Sequence, residues 1–129
     1  MRPPDYADAG LLSDIVPAAA VTLGAGQILE DRQRVRAEKV GLDHETRVVV
    51  VALIDGMGLE LLKASWAYAP FLRSVRDSVT EFSAGFPSTT ANSLSSLGTG
   101  LLPGAHGVMG YKLKDPCLLY TSDAADDSL

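Results

Sequence analysis

Two positions in this sequence join a reactive side chain to a backbone setting that could use it. The first is Asp55, which closes the apolar run at residues 48–54 (VVVVALI) and precedes Gly56-Met57-Gly58. A carboxylate held at the end of a rigid element suits a hard or borderline divalent cation, because such ions favour anionic oxygen. The alternative is that Asp55 caps the helix expected to follow it. The second position is Thr90, within FPSTTANS, where Pro87 stops the preceding segment and a hydroxyl-rich stretch opens a helix. At a helix start the first N–H groups point outward and the dipole favours negative charge, so a phosphoryl group could be held against the Thr90 hydroxyl. Threonine is a weak nucleophile at neutral pH, and metal coordination would lower its pKa. The alternative here is an ordinary Ser/Thr N-cap box. Thr89 is the competing nucleophile. Asn92 and Ser93, two and three residues beyond Thr90, are candidate donors to a phosphate oxygen.

These groups need elements to carry them. Residues 48–54 are uninterrupted, apolar and rich in β-branched side chains, which predicts a central parallel strand buried on both faces. Residues 11–24 (LLSDIVPAAAVTLG) predict a helix with Ser13 as N-cap and Gly24 at its end. The charged segment after Gly26 predicts a short helix or a loop. Residues 59–66 and 69–77 predict two further helices, the second with Pro70 in its first turn. Residues 78–84 alternate like a strand, a helix follows from Thr90 to Leu97, and residues 108–113 form a short strand. The resulting order predicts an α/β fold with a mainly parallel sheet and helices on both faces. Asp55 and Thr90 would then both stand at strand-to-helix junctions, where open α/β sheets gather functional groups.

Composition limits the function classes. The chain has 129 residues, 47% of them apolar, and a formal charge of −5, which argues against a basic nucleic-acid or acidic-membrane surface. Arg32, Arg34, Arg36 and Lys39 are interleaved with Glu30, Asp31 and Glu38 and read as a solvated, salt-bridged face. One cysteine, Cys117, demands no oxidising compartment. No run is long enough to span a bilayer, and the first residues do not resemble a signal peptide, so the expected location is cytoplasmic. A dinucleotide site at Gly24-Ala25-Gly26 fails for want of a third glycine and a preceding strand.

Three segments, VVVVALIDGMG, APFLRSV and FPSTTANSLSSLGTGLLPGAHGVMGY, together resemble the type I phosphodiesterase/nucleotide pyrophosphatase branch of the alkaline-phosphatase superfamily. The specific feature is a proline, a threonine three residues on, then T-G-x-x-P-x-x-H-G, matched by Pro87, Thr90, Thr99-Gly100, Pro103 and His106-Gly107. The resemblance implies a partial alkaline-phosphatase-like sheet and a site with two divalent metal ions, zinc by analogy, one shared by Asp55 and Thr90. It further implies that Thr90 is transiently phosphorylated or nucleotidylated, that the substrate is a small phosphate ester or nucleotide, and that His106 is structural. Many nucleotide pyrophosphatases carry asparagine three residues after the nucleophile; here that residue is Ser93, with Asn92 one place earlier.

The expected organisation is a disordered start at residues 1–10, the N-terminal part of a catalytic domain at 11–115, and a tail at 116–129. Cys117 to Asp127 resembles a translated transposase-type sequencing adapter, which makes that tail non-native and implies that the natural protein continues. The two histidines, His44 and His106, cannot complete a two-zinc ligand set. Two readings follow: a metal-dependent phosphate-ester hydrolase in its full-length form, or a non-catalytic truncated fragment or degenerate binding domain.

Overall fold

The computed structural model describes residues 10–42, 46–110, 112–114 and 121–123. A 3-10 turn at Leu12–Asp14 leads into α1 (Ile15–Thr22), and a second 3-10 turn at Gly26–Ile28 precedes α2 (Asp31–Glu38). Next come α3 (Leu59–Ser65), α4 (Pro70–Ser74), α5 (Thr90–Thr99) and α6 (Pro103–His106). Further 3-10 turns at Trp66–Tyr68 and Arg76–Ser78 extend α3 and α4. A short antiparallel ribbon pairs β1 (Lys112–Lys114) with β2 (Thr121–Asp123), Leu113 lying opposite Ser122.

The expected mainly parallel sheet with helices on both faces is not what the described residues form. Residues 48–54 are neither helical nor paired, and residues 78–84 form no strand beyond an isolated parallel bridge between Leu11 and Ser83. The architecture is helical with one two-stranded ribbon. The physical reason is that β-branched composition only favours a strand where a neighbour supplies the hydrogen-bond ladder and packing. Here no described segment pairs with residues 48–54, and Val48 is 72% exposed and Val50 83%.

The core lies where α1, α2 and α5 meet the Leu12–Asp14 turn, around buried Leu11, Ala18, Ala37 and Leu97. It is small, and polar clasps reinforce it. Asp14, rather than the expected Ser13, caps the N-terminal turn: its Oδ2 accepts the Leu11 N–H at 3.0 Å. The same carboxylate receives Arg36 of α2 in a two-pronged pair, Nε and one terminal nitrogen each 2.9 Å from an oxygen. That bond raises the Arg36 pKa above its ordinary value, against the opposing effect of partial burial. Gln33 links the other side of α2: its Oε1 accepts the Glu30 N–H at 3.2 Å, while its Nε2 donates to Thr99 and Gly100 carbonyls at 3.3 and 3.1 Å. Gly100 ends α5 in the left-handed region with φ +66°, and Pro17 of α1 packs against it too closely for any Cβ.

Candidate functional site

Helix α5 positions the hydroxyl-rich segment, and its start is set by Thr89. This residue adopts extended dihedrals, and its Oγ1 accepts the Asn92 N–H at 3.3 Å. Its hydroxyl also donates to the Met109 carbonyl at 2.9 Å, tying the helix start to the loop beyond α6. The Thr89 hydroxyl proton and one of its acceptor sites are therefore used structurally. Thr90, one residue on, is the first residue of the helix, half-buried, with no hydrogen bond from its side chain among the described residues. The Thr89 N–H is bound by the Pro87 carbonyl, and the Asn92 N–H by the cap. The N–H groups of Thr90 and Ala91 remain as the outward donors of the first turn.

The two sides of α5 do different work. Asn92 and Ser96, one turn apart, face inward and are buried. Asn92 is 0% exposed, and its Nδ2 donates to the Pro87 carbonyl at 2.5 Å, while its Oδ1 has no partner among the described residues. Ser96 meets His106 of α6, Oγ to Nε2 at 2.9 Å, and His106 Nδ1 accepts the Val108 N–H at 3.0 Å. With Nδ1 accepting from Val108, Nε2 is the nitrogen that donates to Ser96, and the pair of bonds clamps α6 to α5. Thr90, Ser93 and Leu94, spaced three and four residues apart, face the other way into a cleft.

That cleft has a volume of about 210 Å³, and its walls include Asp55, Ser88, Thr89, Thr90 and Ser93 with Leu12, Leu53 and Ile54. Asp55 and Thr90 are thus brought to one site although 35 positions separate them in the chain. Asp55 does not cap the next helix. Helix α3 begins at Leu59 with Gly58 at its N-cap, and Asp55 Oδ1 instead accepts the Gly56 N–H at 2.8 Å within its own turn. Gly56 makes that turn possible with φ +72°. The second carboxylate oxygen is free among the described residues.

Of the two candidate phosphate donors, the structure places Ser93 in the cleft and Asn92 behind the helix on the Pro87 carbonyl. Helical geometry carried this signal: at about 100° per residue, the third residue after Thr90 returns close to its face and the second points nearly opposite. Ser88 and Leu12 were not singled out from sequence, and nothing local marks Leu12 as a cleft residue.

A metal-ligand set can be tested against these donors. Asp55 and the Thr90 hydroxyl are oxygen donors of the type a divalent cation takes, two where a tetrahedral zinc site needs four. Among the described residues, no three His, Cys, Asp or Glu side chains cluster to hold a metal. No described helix is long and apolar enough to cross a membrane.

The family model for type I phosphodiesterase / nucleotide pyrophosphatase matches residues 49–126, more than half of the chain. The match contains Asp55, the whole cleft face of α5 and the α6 clamp, and it runs into the segment from Pro116 onward. No curated protein and no solved structure matches the chain.

Proposed function

This chain belongs to the type I phosphodiesterase / nucleotide pyrophosphatase family, and we propose that the Asp55–Thr90 cleft is the phosphoryl-binding part of a metal-assisted phosphate-ester hydrolase. The observation that carries the reading is the shared cleft, which sets a carboxylate with one oxygen free among the described residues, and a threonine hydroxyl likewise uncommitted, at the open end of a ten-residue helix. A phosphoryl oxygen at that end is met by the Thr90 and Ala91 N–H groups, with Ser93 Oγ beside them. Thr90 Oγ1 then forms a bond to phosphorus while the ester P–O bond breaks, and the alcohol leaves with a proton. Water attacks the phosphothreonine or nucleotidyl-threonine, releasing the phosphate product and restoring the hydroxyl.

Asp55 and Thr90 are the residues of this chain that would hold a divalent cation, zinc in this reading, and such an ion supplies a lowered pKa for the attacking hydroxyl. The reading assigns the remaining ligands, and the second metal of the pair, to residues outside the described ones. Two structural bonds hold the Thr89 hydroxyl, which favours Thr90 as the nucleophile. The substrate class is a small phosphate ester or nucleotide. A cytoplasmic location accords with a single cysteine.

The test is turnover of mono- and bis-p-nitrophenyl phosphate with added Zn²⁺ by the complete product of the gene. Loss of the nucleophile in Thr90→Ala should lower kcat by about a thousandfold or more, whereas Thr89→Ser should retain most of it. Equal turnover in wild type and Thr90→Ala contradicts the assignment.

A further inference from the structure

One wall of the Thr90 cleft comes from a part of the chain that precedes the family match. Leu12, in the Leu12–Asp14 turn, lines the cleft together with Leu53, Ile54 and Leu94. The residues around it point elsewhere: Leu11, Ser13 and Asp14 are buried, while Leu12 stays partly open. The backbone holds it there. The Leu12 N–H donates to the Ser83 carbonyl at 2.9 Å, and the Ser83 N–H donates to the Gly10 carbonyl at 2.9 Å. These two bonds tie the turn to the segment that leads into Pro87. On its other side, Asp14 accepts the Leu11 N–H at 3.0 Å and is itself held by Arg36. A side chain fixed in this way is preorganised, so contact with it costs little further ordering.

The cleft is chemically divided. Ser88, Thr89, Thr90 and Ser93 place hydroxyls around the helix start, whereas Leu12, Leu53, Ile54 and Leu94 offer hydrocarbon. A phosphate ester is divided in the same way, into an anionic phosphoryl end and an organic group. With the phosphoryl oxygens at the Thr90 and Ala91 N–H groups, the organic group falls to the leucine side. A charged or strongly polar group would lose water there without gaining a partner from the apolar wall, while an apolar one gains by leaving water. Given that the Asp55–Thr90 cleft binds the phosphoryl group, on which this rests, we propose that Leu12 is a specificity-determining residue. It touches the organic group of the ester and favours an apolar or aromatic one.

The test uses the complete gene product and three competitive inhibitors of p-nitrophenyl phosphate turnover: inorganic phosphate, methylphosphonate and phenylphosphonate. The last two carry a P–C bond in place of the ester bond, so their inhibition constants read contacts rather than chemistry. Phenylphosphonate should bind more tightly than methylphosphonate, and Leu12→Ala should cut that preference about fivefold. Leu12→Asn, close to leucine in size but polar, should cut it likewise, and Leu12→Met should preserve it. Inorganic phosphate has no organic group and should bind wild type and the three variants alike. Each comparison sets two probes against one protein, so its failure is separate from failure of the Thr90 chemistry, which turnover by Thr90→Ala reads. A wild type without preference, or a phenyl-to-methyl ratio unchanged in both Leu12→Ala and Leu12→Asn, overturns the proposal. Equal weakening of all three inhibitors overturns it too, because that is the mark of a residue that only supports α5.

Discussion

Gly100→Ala tests how α5 is held in place. At this position the chain turns with φ +66°, and a Cβ would sit 2.6 Å from Pro17 Cγ and 3.0 Å from Gln33 Nε2. The left-handed conformation costs a non-glycine residue about 1–2 kcal/mol, and forcing a methyl into a packed contact about 1–3 kcal/mol more. Pro17 is a rigid ring on buried α1, so relief requires moving that helix or the end of α5. Either movement stretches the Gln33 bonds to the Thr99 and Gly100 carbonyls. The expected loss is therefore about 2–5 kcal/mol, a large fraction of the 5–15 typical of a domain. Urea unfolding followed by circular dichroism reads this as a midpoint lowered by about 1–3 M. Gly98→Ala is the control: it lies within α5 with nothing within 4 Å of its Cβ, and it should stabilise by about 0.5–1 kcal/mol. A Gly100→Ala midpoint equal to wild type, or opposite ordering of the two variants, would refute the packing of α1 on the α5 terminus.

Three further outcomes follow from the same clasps. Arg36→Ala leaves the buried Asp14 carboxylate with one fewer partner group and should cost about 2–3 kcal/mol in urea unfolding. His106→Ala removes the Ser96 and Val108 bonds and should cost about 1–3 kcal/mol, with the largest increase in amide exchange at Val108 in hydrogen-exchange mass spectrometry. Thr89→Ala removes the α5 cap and should cost about 1 kcal/mol, while Thr89→Ser recovers most of it.

The helix start that carries Thr90 was more legible in the sequence than the sheet. Thr90 could be placed at a helix start because Pro87 and a run of hydroxyl residues precede any apolar periodicity, and these are local signals. The glycine end of α1 and the proline start of α4 were local in the same way, whereas α5 runs past the expected Leu97, through Gly98, to Thr99. The sheet was different. Residues 48–54 have every local mark of a buried strand, yet burial is a property of partners, and no described segment supplies them. The clasps were illegible for a related reason: Asp14–Arg36 spans 22 positions and Gln33–Gly100 spans 67, and no sequence period links either pair. Asn92 shows the intermediate case. Its type suggests a ligand contact, but its phase on the helix turns it inward, where its amide holds the Pro87 carbonyl.

The most direct test of the central claim is mass spectrometry of peptides from the complete gene product, acid-quenched during turnover of a phosphate ester or nucleotide. A phosphoryl or nucleotidyl adduct on Thr90, absent in Thr90→Ala, is the result that the Asp55–Thr90 cleft predicts. An adduct on Thr89 or Ser88, or sustained turnover with no covalent adduct and full activity in Thr90→Ala, would contradict it.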